Sequence, residues 1–215
     1  MCYLGCMTTE AILLGEPLPV ELMNTIGIGR DGVHDALTTD AEAADWLNAV
    51  GDRIAAATGR TLGALREDDV RPAAGRLRDL RDALRLLAAE VTEDPRPSAN
   101  ASPPTRAQAI ETLNTLAAAW PQLVWPPDAE PTRTYRAPGD PVDLAIALMA
   151  HQGVELFAGA GRERLRACLA PNCLLFFSKD HPRREWCSPG CGNRVRVARH
   201  YQRHHATRGA KNRTR

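Results

Sequence analysis

The sequence predicts a mainly α-helical chain with short β-hairpins, divided into a helical N-terminal domain and a small cysteine-bearing C-terminal module. Three observations carry this reading. Leucines step along one helix face at Leu77, Leu80, Leu84 and Leu87. Four of the six cysteines fall in two close pairs, Cys168 with Cys173 and Cys187 with Cys191. Charge divides in the same place. Residues 162–215 hold 14 of the 27 Lys+Arg but only 3 of the 26 Asp+Glu, leaving 13 basic and 23 acidic residues in 1–161. A net charge of +1 therefore conceals a balance of −10 before residue 162 and +11 after it. Such asymmetry points to an appended module with an anionic partner.

Composition narrows the class further. With 44% hydrophobic and 25% charged residues among 215, the chain has ordinary globular proportions, which excludes wholesale disorder. The longest wholly apolar run is Leu144–Ala150, far short of the ~20 residues that span a bilayer. The first basic residue is Arg30, so the N-terminus lacks the basic flank of a secretory signal, and a cytoplasmic protein is expected.

In residues 1–161, Asp40 is expected to cap a helix running to about Val50, with Trp46 and Leu47 facing inward. The leucine stripe predicts a helix over 70–91. An internal core explains it better than a dimer seam, because strict heptads are not sustained; a homo-oligomer stays open. Residues 94–104 break the pattern as a Pro-rich linker, and a helix is expected over 105–119. Leu123-Val124-Trp125 and Thr132–Arg136 flank Pro126-Pro127-Asp128 as a hairpin. Asp140-Pro141 is a cap followed by Pro at the first helical position, opening a helix to about Phe157. These apolar helices are expected to fold without the C-terminal module. Glu21, Asn24, Glu42 and Asp45 have the chemistry to line a pocket, although acidic groups near helix starts usually serve as caps. No phosphate loop or metalloprotease motif is present, and His34 and His151 are the only histidines there, so no enzyme is expected.

The cysteine spacing carries the chemistry. Cys168-x4-Cys173 and Cys187-x3-Cys191 each deliver two sulfurs from a tight turn, and the thirteen residues between them let the chain fold back. In a reducing compartment disulfides are disfavoured, so a metal is the better reading. All-sulfur tetrahedral ligation suits Zn2+, with an iron–sulfur centre or redox switch as the alternative. Four cysteines fill every position and leave no open site for water, so the zinc is structural. Leu174–Phe177 and Arg184–Cys187 read as two strands of a hairpin, followed by a helix from about Gly192 to His205. That order is treble-clef-like.

From Cys168 to His205, with Arg184-Glu185-Trp186-Cys187-Ser188 and above all Cys191-Gly192-Asn193-Arg194, the chain resembles the CGNR zinc finger family. In that family the finger follows a domain named ABATE, whose description is "putative stress-induced transcription regulator". Gly15–Thr25, with Asp45-Trp46-Leu47 downstream, is similar to that domain's opening. The resemblance implies an ABATE-like domain over 1–161, a CGNR-type finger over 162–207 and a basic, disordered tail over 208–215. The family often has Arg before the Trp and Met after the Ser, where this chain has Glu185 and Pro189.

The helix after Cys191 carries Arg194, Arg196, Arg199, His200 and Arg203, and the last four share one face. Such a face suits nucleic-acid phosphates, DNA in preference to RNA because the chain has only ten aromatic residues for stacking on bases. The competing reading is a protein-interaction module whose basic face only balances the thiolates. Val195, Ala198 and Tyr201 are expected to pack back on the hairpin. Trp186 reads as a packing residue, Gly192 as room for a close backbone approach to sulfur, and Asn193 as a hydrogen-bonder to neighbouring backbone or a candidate for positive φ. His181, His200, His204 and His205 are not needed as ligands, and Cys2 and Cys6 read as free thiols.

Overall fold

The computed structural model describes residues 13–29 and 32–211, with side chains of the last helix described to Arg203. Cys2, Cys6, residues 212–215 and the side chains of His204 and His205 lie outside the described residues.

A short helix, α1 (Leu18–Met23), follows Pro17 and is buried along its whole length. β1 (Ile26–Gly29) and β2 (Gly32–Asp35) form an antiparallel pair. α2 (Asp40–Ala49) is capped by Thr39, one residue ahead of the expected Asp40. The Glu42 amide donates to Thr39 Oγ1 at 3.1 Å, and the Thr39 amide donates back to the Glu42 carboxylate at 2.8 Å. α3 (Gly51–Thr58) ends at Gly59, whose φ of 67° places it in the left-handed region. α4 (Glu67–Val91) is the long helix that the leucine stripe predicts, begun three residues earlier. α5 (Arg106–Leu116) is capped by Thr105. β3 (Trp120–Val124) pairs with β4 (Thr132–Arg136), so the first strand of the expected hairpin lies earlier and excludes Trp125. α6 (Pro141–Ala158) has the expected start, with Asp140 accepting from the Asp143 amide at 2.9 Å.

These helices share one core. Leu77, Leu80, Leu84 and Leu87 are all buried, and α4 packs against α1, α2, α5 and α6 of its own chain. The stripe is therefore interior rather than a dimer seam. At Gly153 of α6 a Cβ would stand 2.7 Å from Leu84 Cδ2 and 3.1 Å from Leu113 Cδ1. Among the described residues no helix is long and apolar enough to cross a membrane.

The C-terminal part begins with α7 (Gly161–Arg164) and then β5 (Leu165–Ala167), β6 (Phe176–Ser178) and α8 (Pro189–Lys211). Here the strands differ from expectation. β6 pairs antiparallel with β5, and residues 184–187 form no strand. The first cysteine pair is itself the turn of the hairpin, bringing the segments on either side of it together. Arg184 instead spans the gap by its side chain, donating to the carbonyls of Ser178 and Cys187, each at 3.0 Å. α8 starts before Gly192 and continues to Lys211, so 208–211, expected to be disordered, are helical.

β6 is bound to the helical body along its free side. Asn24 donates to the Phe176 carbonyl at 2.9 Å and accepts from the Phe176 amide at 2.8 Å, as a neighbouring strand would. Glu16 accepts from the Ser178 amide at 2.8 Å and forms an ion pair with Arg184. Leu165 and Phe176 belong to the main core, whereas Phe177, Leu175 and Val195 form a second, smaller core with the four cysteines.

Candidate metal centre

Cys168 follows β5, Cys173 precedes β6, Cys187 lies just before α8, and Cys191 sits in the first turn of that helix. All four are buried, free thiols whose sulfurs lie within 4.8 Å of one another. Sγ–Sγ distances are 3.3 Å for Cys187–Cys191 and 3.7 Å for both Cys173–Cys187 and Cys173–Cys191. A tetrahedron with Zn–S bonds of ~2.3 Å has edges of about 3.8 Å. The cage therefore fits Zn2+, and with four sulfurs it offers no further coordination position. The metal is structural.

The electrostatics of the cage suit a cation. Hydrogen bonds from the Cys173 and Cys187 thiols, with backbone amides of Cys187 and Ala170, hold Cys168 down at about 2. The same contacts with Cys168, followed by burial, push Cys173 up to about 12, and Cys187 higher still. Protons are thus shared among crowded sulfurs, and a divalent ion replaces them when it binds. Zinc with four thiolates is net negative, and arginines answer that charge. Arg194 donates to Cys191 Sγ at 2.9 Å. Burial opposes its charge, but that hydrogen bond and the nearby sulfurs prevail and raise its pKa.

Backbone geometry holds the first pair in place. Asn172, immediately before Cys173, has φ of 53°, a conformation open to Asn through its short polar side chain. Arg96 Nη1 donates to the carbonyls of Cys168 at 3.0 Å and Cys173 at 2.6 Å, and Asp94 fixes its guanidinium by an ion pair at 2.6 Å. Neither residue carries a local signal of this role. Arg96 lies in the Pro-rich segment read as a linker, 72 residues before the carbonyl it holds.

The other expectations divide. Trp186 packs on the small core. Gly192 makes room for that ring rather than for a sulfur: a Cβ there would lie 3.1 Å from Trp186 Cδ1, a tight contact that the ring would have to relieve by shifting. Asn193 is exposed and has no positive φ; Asn172 takes that conformation instead. His181 accepts from the Arg183 amide at 3.1 Å in a turn. Val195 is buried and Ala198 half-buried, but Tyr201 is 61% exposed and does not reach the hairpin. Arg196, Arg199, His200 and Arg203 are exposed on one face of α8. Glu21, Asn24, Glu42 and Asp45 have separate surroundings: Glu21 accepts from the Leu14 and Glu16 amides and Arg53, Asn24 binds Phe176, Glu42 caps α2, and Asp45 is exposed.

Residues 16–160 match ABATE, described as "Putative stress-induced transcription regulator", and residues 164–204 match the CGNR zinc finger. No curated protein matches the chain significantly. With the first match covering more than half of its residues, the chain belongs to the ABATE family, and a CGNR zinc finger closes its fold.

Proposed function

We propose that the protein is a cytoplasmic, non-enzymatic transcription regulator that contacts nucleic acid, DNA in preference to RNA, through α8. The observation carrying this reading is the exposed row Arg196, Arg199, His200 and Arg203, on a helix whose first turns are pinned to the metal centre by Cys191 and Val195. A basic row on a rigidly held helix suits phosphates, and its α-helical diameter suits the major groove. Arg194 has another task, since its guanidinium is engaged at Cys191 Sγ. The acidic N-terminal body opposes binding, which makes it suited to sensing or assembly that modulates the finger.

A salt series on the zinc-loaded chain with mixed duplex DNA and RNA tests this. Log affinity should fall linearly with log salt at about −0.9 per phosphate contact on duplex DNA. Replacing Arg199 and Arg203 by Ala should flatten the slope by roughly two units while zinc content stays unchanged. Absence of binding to either nucleic acid at low salt overturns the reading. A protein-docking finger then takes its place, favoured by Val197 and Tyr201, which lie 45% and 61% exposed one turn apart on α8.

A further inference from the structure

A cavity of about 230 Å³ lies between α4, the Pro-rich 94–104 loop and the first cysteine turn. Its walls are largely apolar: Leu86 and Ala89 from α4, Pro97 and Pro104 from the loop, and Leu174 and Phe176 beside Cys173. Three charged side chains of that wall are already committed. Asp94 pairs with Arg96 at 2.6 Å, while Asp82 pairs with Arg81 at 2.9 Å and accepts from Asn100 at 2.7 Å.

Arg85 is the exception. Its guanidinium donates to the carbonyls of Met23 at 2.5 Å and Leu174 at 3.2 Å, and lies 5.4 Å from the Phe176 ring centroid. No ion pair joins it to any carboxylate among the described residues. Two carbonyls use two of its five N–H donors, so the fork retains donors for an anion. Burial, followed by the charges of Arg96 and Arg81, lowers its pKa to about 10, a cost that a bound anion would relieve.

We propose that this cavity binds a small aromatic carboxylate, its carboxylate on Arg85 and its ring against Leu86, Ala89 and Phe176. A guanidinium recognises a carboxylate through two parallel hydrogen bonds. The volume exceeds the ~150 Å³ apolar cavity known to hold benzene, leaving room for one ring and its acid group. Inorganic phosphate would satisfy the charge but leave the apolar walls wet. Leu174 and Phe176 follow directly on Cys173, so the ligand braces the first cysteine turn and connects the helical body to the finger. This inference does not rest on nucleic-acid binding, because every readout below is on the ligand.

Benzoate, benzamide and inorganic phosphate are titrated into the zinc-loaded full chain, with binding followed by ligand-observed NMR. Benzoate should bind, with benzamide and phosphate each at least about tenfold weaker, as one charge-assisted contact or one apolar contact set is worth about that factor. Arg85→Met should abolish benzoate binding. Because Arg85 also supports two carbonyls, a second variant guards the result: Ala89→Phe fills the cavity while leaving Arg85 in the chain and should also abolish binding. No benzoate binding at about 10 mM, a Kd regime weaker than a paired carboxylate should show, overturns the proposal. So do benzamide or phosphate binding as tightly as benzoate, or benzoate binding that survives Ala89→Phe.

Discussion

The helical body and the finger achieve order by opposite means. The body buries a continuous apolar core, with four leucines of α4 against three neighbouring helices and α1, and its polar contacts are mostly caps and surface pairs. The finger's own core is eight residues, four of them cysteines. So small a cluster cannot offset the entropy of ordering its loops without the metal. What it lacks in apolar area it borrows through backbone contacts. Asn24, Glu16, Arg85 and Arg96, all from the body, bind main-chain groups of the finger between Cys168 and Ser178. The difference teaches that the module boundary near residue 161 is crossed by hydrogen bonds from body side chains to finger main chain. Phe176 of the finger lies in the body's core, so a chain ending at 161 would leave that site open and Glu16 and Asn24 without partners.

The largest effect should come from removing the zinc. Replacing Cys187 by Ser, or stripping the metal with a chelator, should cost most of the finger's order, as structural zinc supplies roughly 10–16 kcal/mol of apparent binding energy. Elemental analysis of the intact chain should find one zinc. Amide exchange should show protection lost across β5, β6 and the start of α8, and reduced in α1, while the centre of α4 stays protected. A folded preparation with no metal, or with stoichiometric iron, would sink the assignment.

Next comes the body. Leu84→Ala opens a cavity beneath Gly153, in a site where the two helices already touch. The expected loss is about 2–5 kcal/mol in urea unfolding, with zinc content unchanged. Equal loss of zinc would mean that the two cores unfold as one unit even under mild destabilisation.

Much of this division could be read from residues alone, for a physical reason. Helix faces and metal turns are local, so Leu77 to Leu87, Asp140-Pro141 and the two cysteine pairs announce themselves within a few positions. The contacts that join body to finger are not local. Asn24 meets Phe176 across 152 residues, Arg96 meets Cys173 across 77, and Glu16 meets Ser178 across 162. A side chain that hydrogen-bonds a distant backbone leaves no period and no spacing. The three-residue strands β5 and β6 are too short to carry an alternation, so composition favours Arg184–Cys187 as the partner of β6, whereas β5 is the strand that pairs with it. Yet the residues that resemble the ABATE opening, Gly15–Thr25, contain Glu16, Glu21 and Asn24. Glu16 and Asn24 hold the finger, and Glu21 fixes the segment that carries Glu16 by accepting from the Leu14 and Glu16 amides.

Asn24 sharpens the comparison at the junction itself. Asn24→Ala leaves the Phe176 amide and carbonyl buried without partners, at a cost of about 1–3 kcal/mol for each unsatisfied group. The same substitution in a Cys187→Ser background should cost much less, because the disordered finger no longer presents that backbone. Urea unfolding of the four proteins gives the coupling directly. Additive losses would show that Asn24 stabilises the body alone.

The smallest effect concerns protons at the same junction. Burial, helped by the charge of Glu21, raises the Glu16 pKa despite the Ser178 amide and Arg184, which favour the ionised form. The native state therefore holds this proton more tightly than the unfolded chain. Between the ordinary carboxylate value and the raised one, folding takes up protons, so Glu16 contributes stability at lower pH that is lost as pH rises through that window. This is opposite in sign to a carboxylate whose ion pair lowers its pKa. Glu16→Gln, which keeps an acceptor for the Ser178 amide, removes the titration. Relative to the native protein, the variant should gain stability as pH rises through the window and hold a constant difference above it. Comparing the two at each pH cancels the pH dependence of zinc binding, which they share. A variant that instead falls further behind as pH rises would show that Arg184 dominates, and that an ion pair, rather than a buried acid, closes the junction.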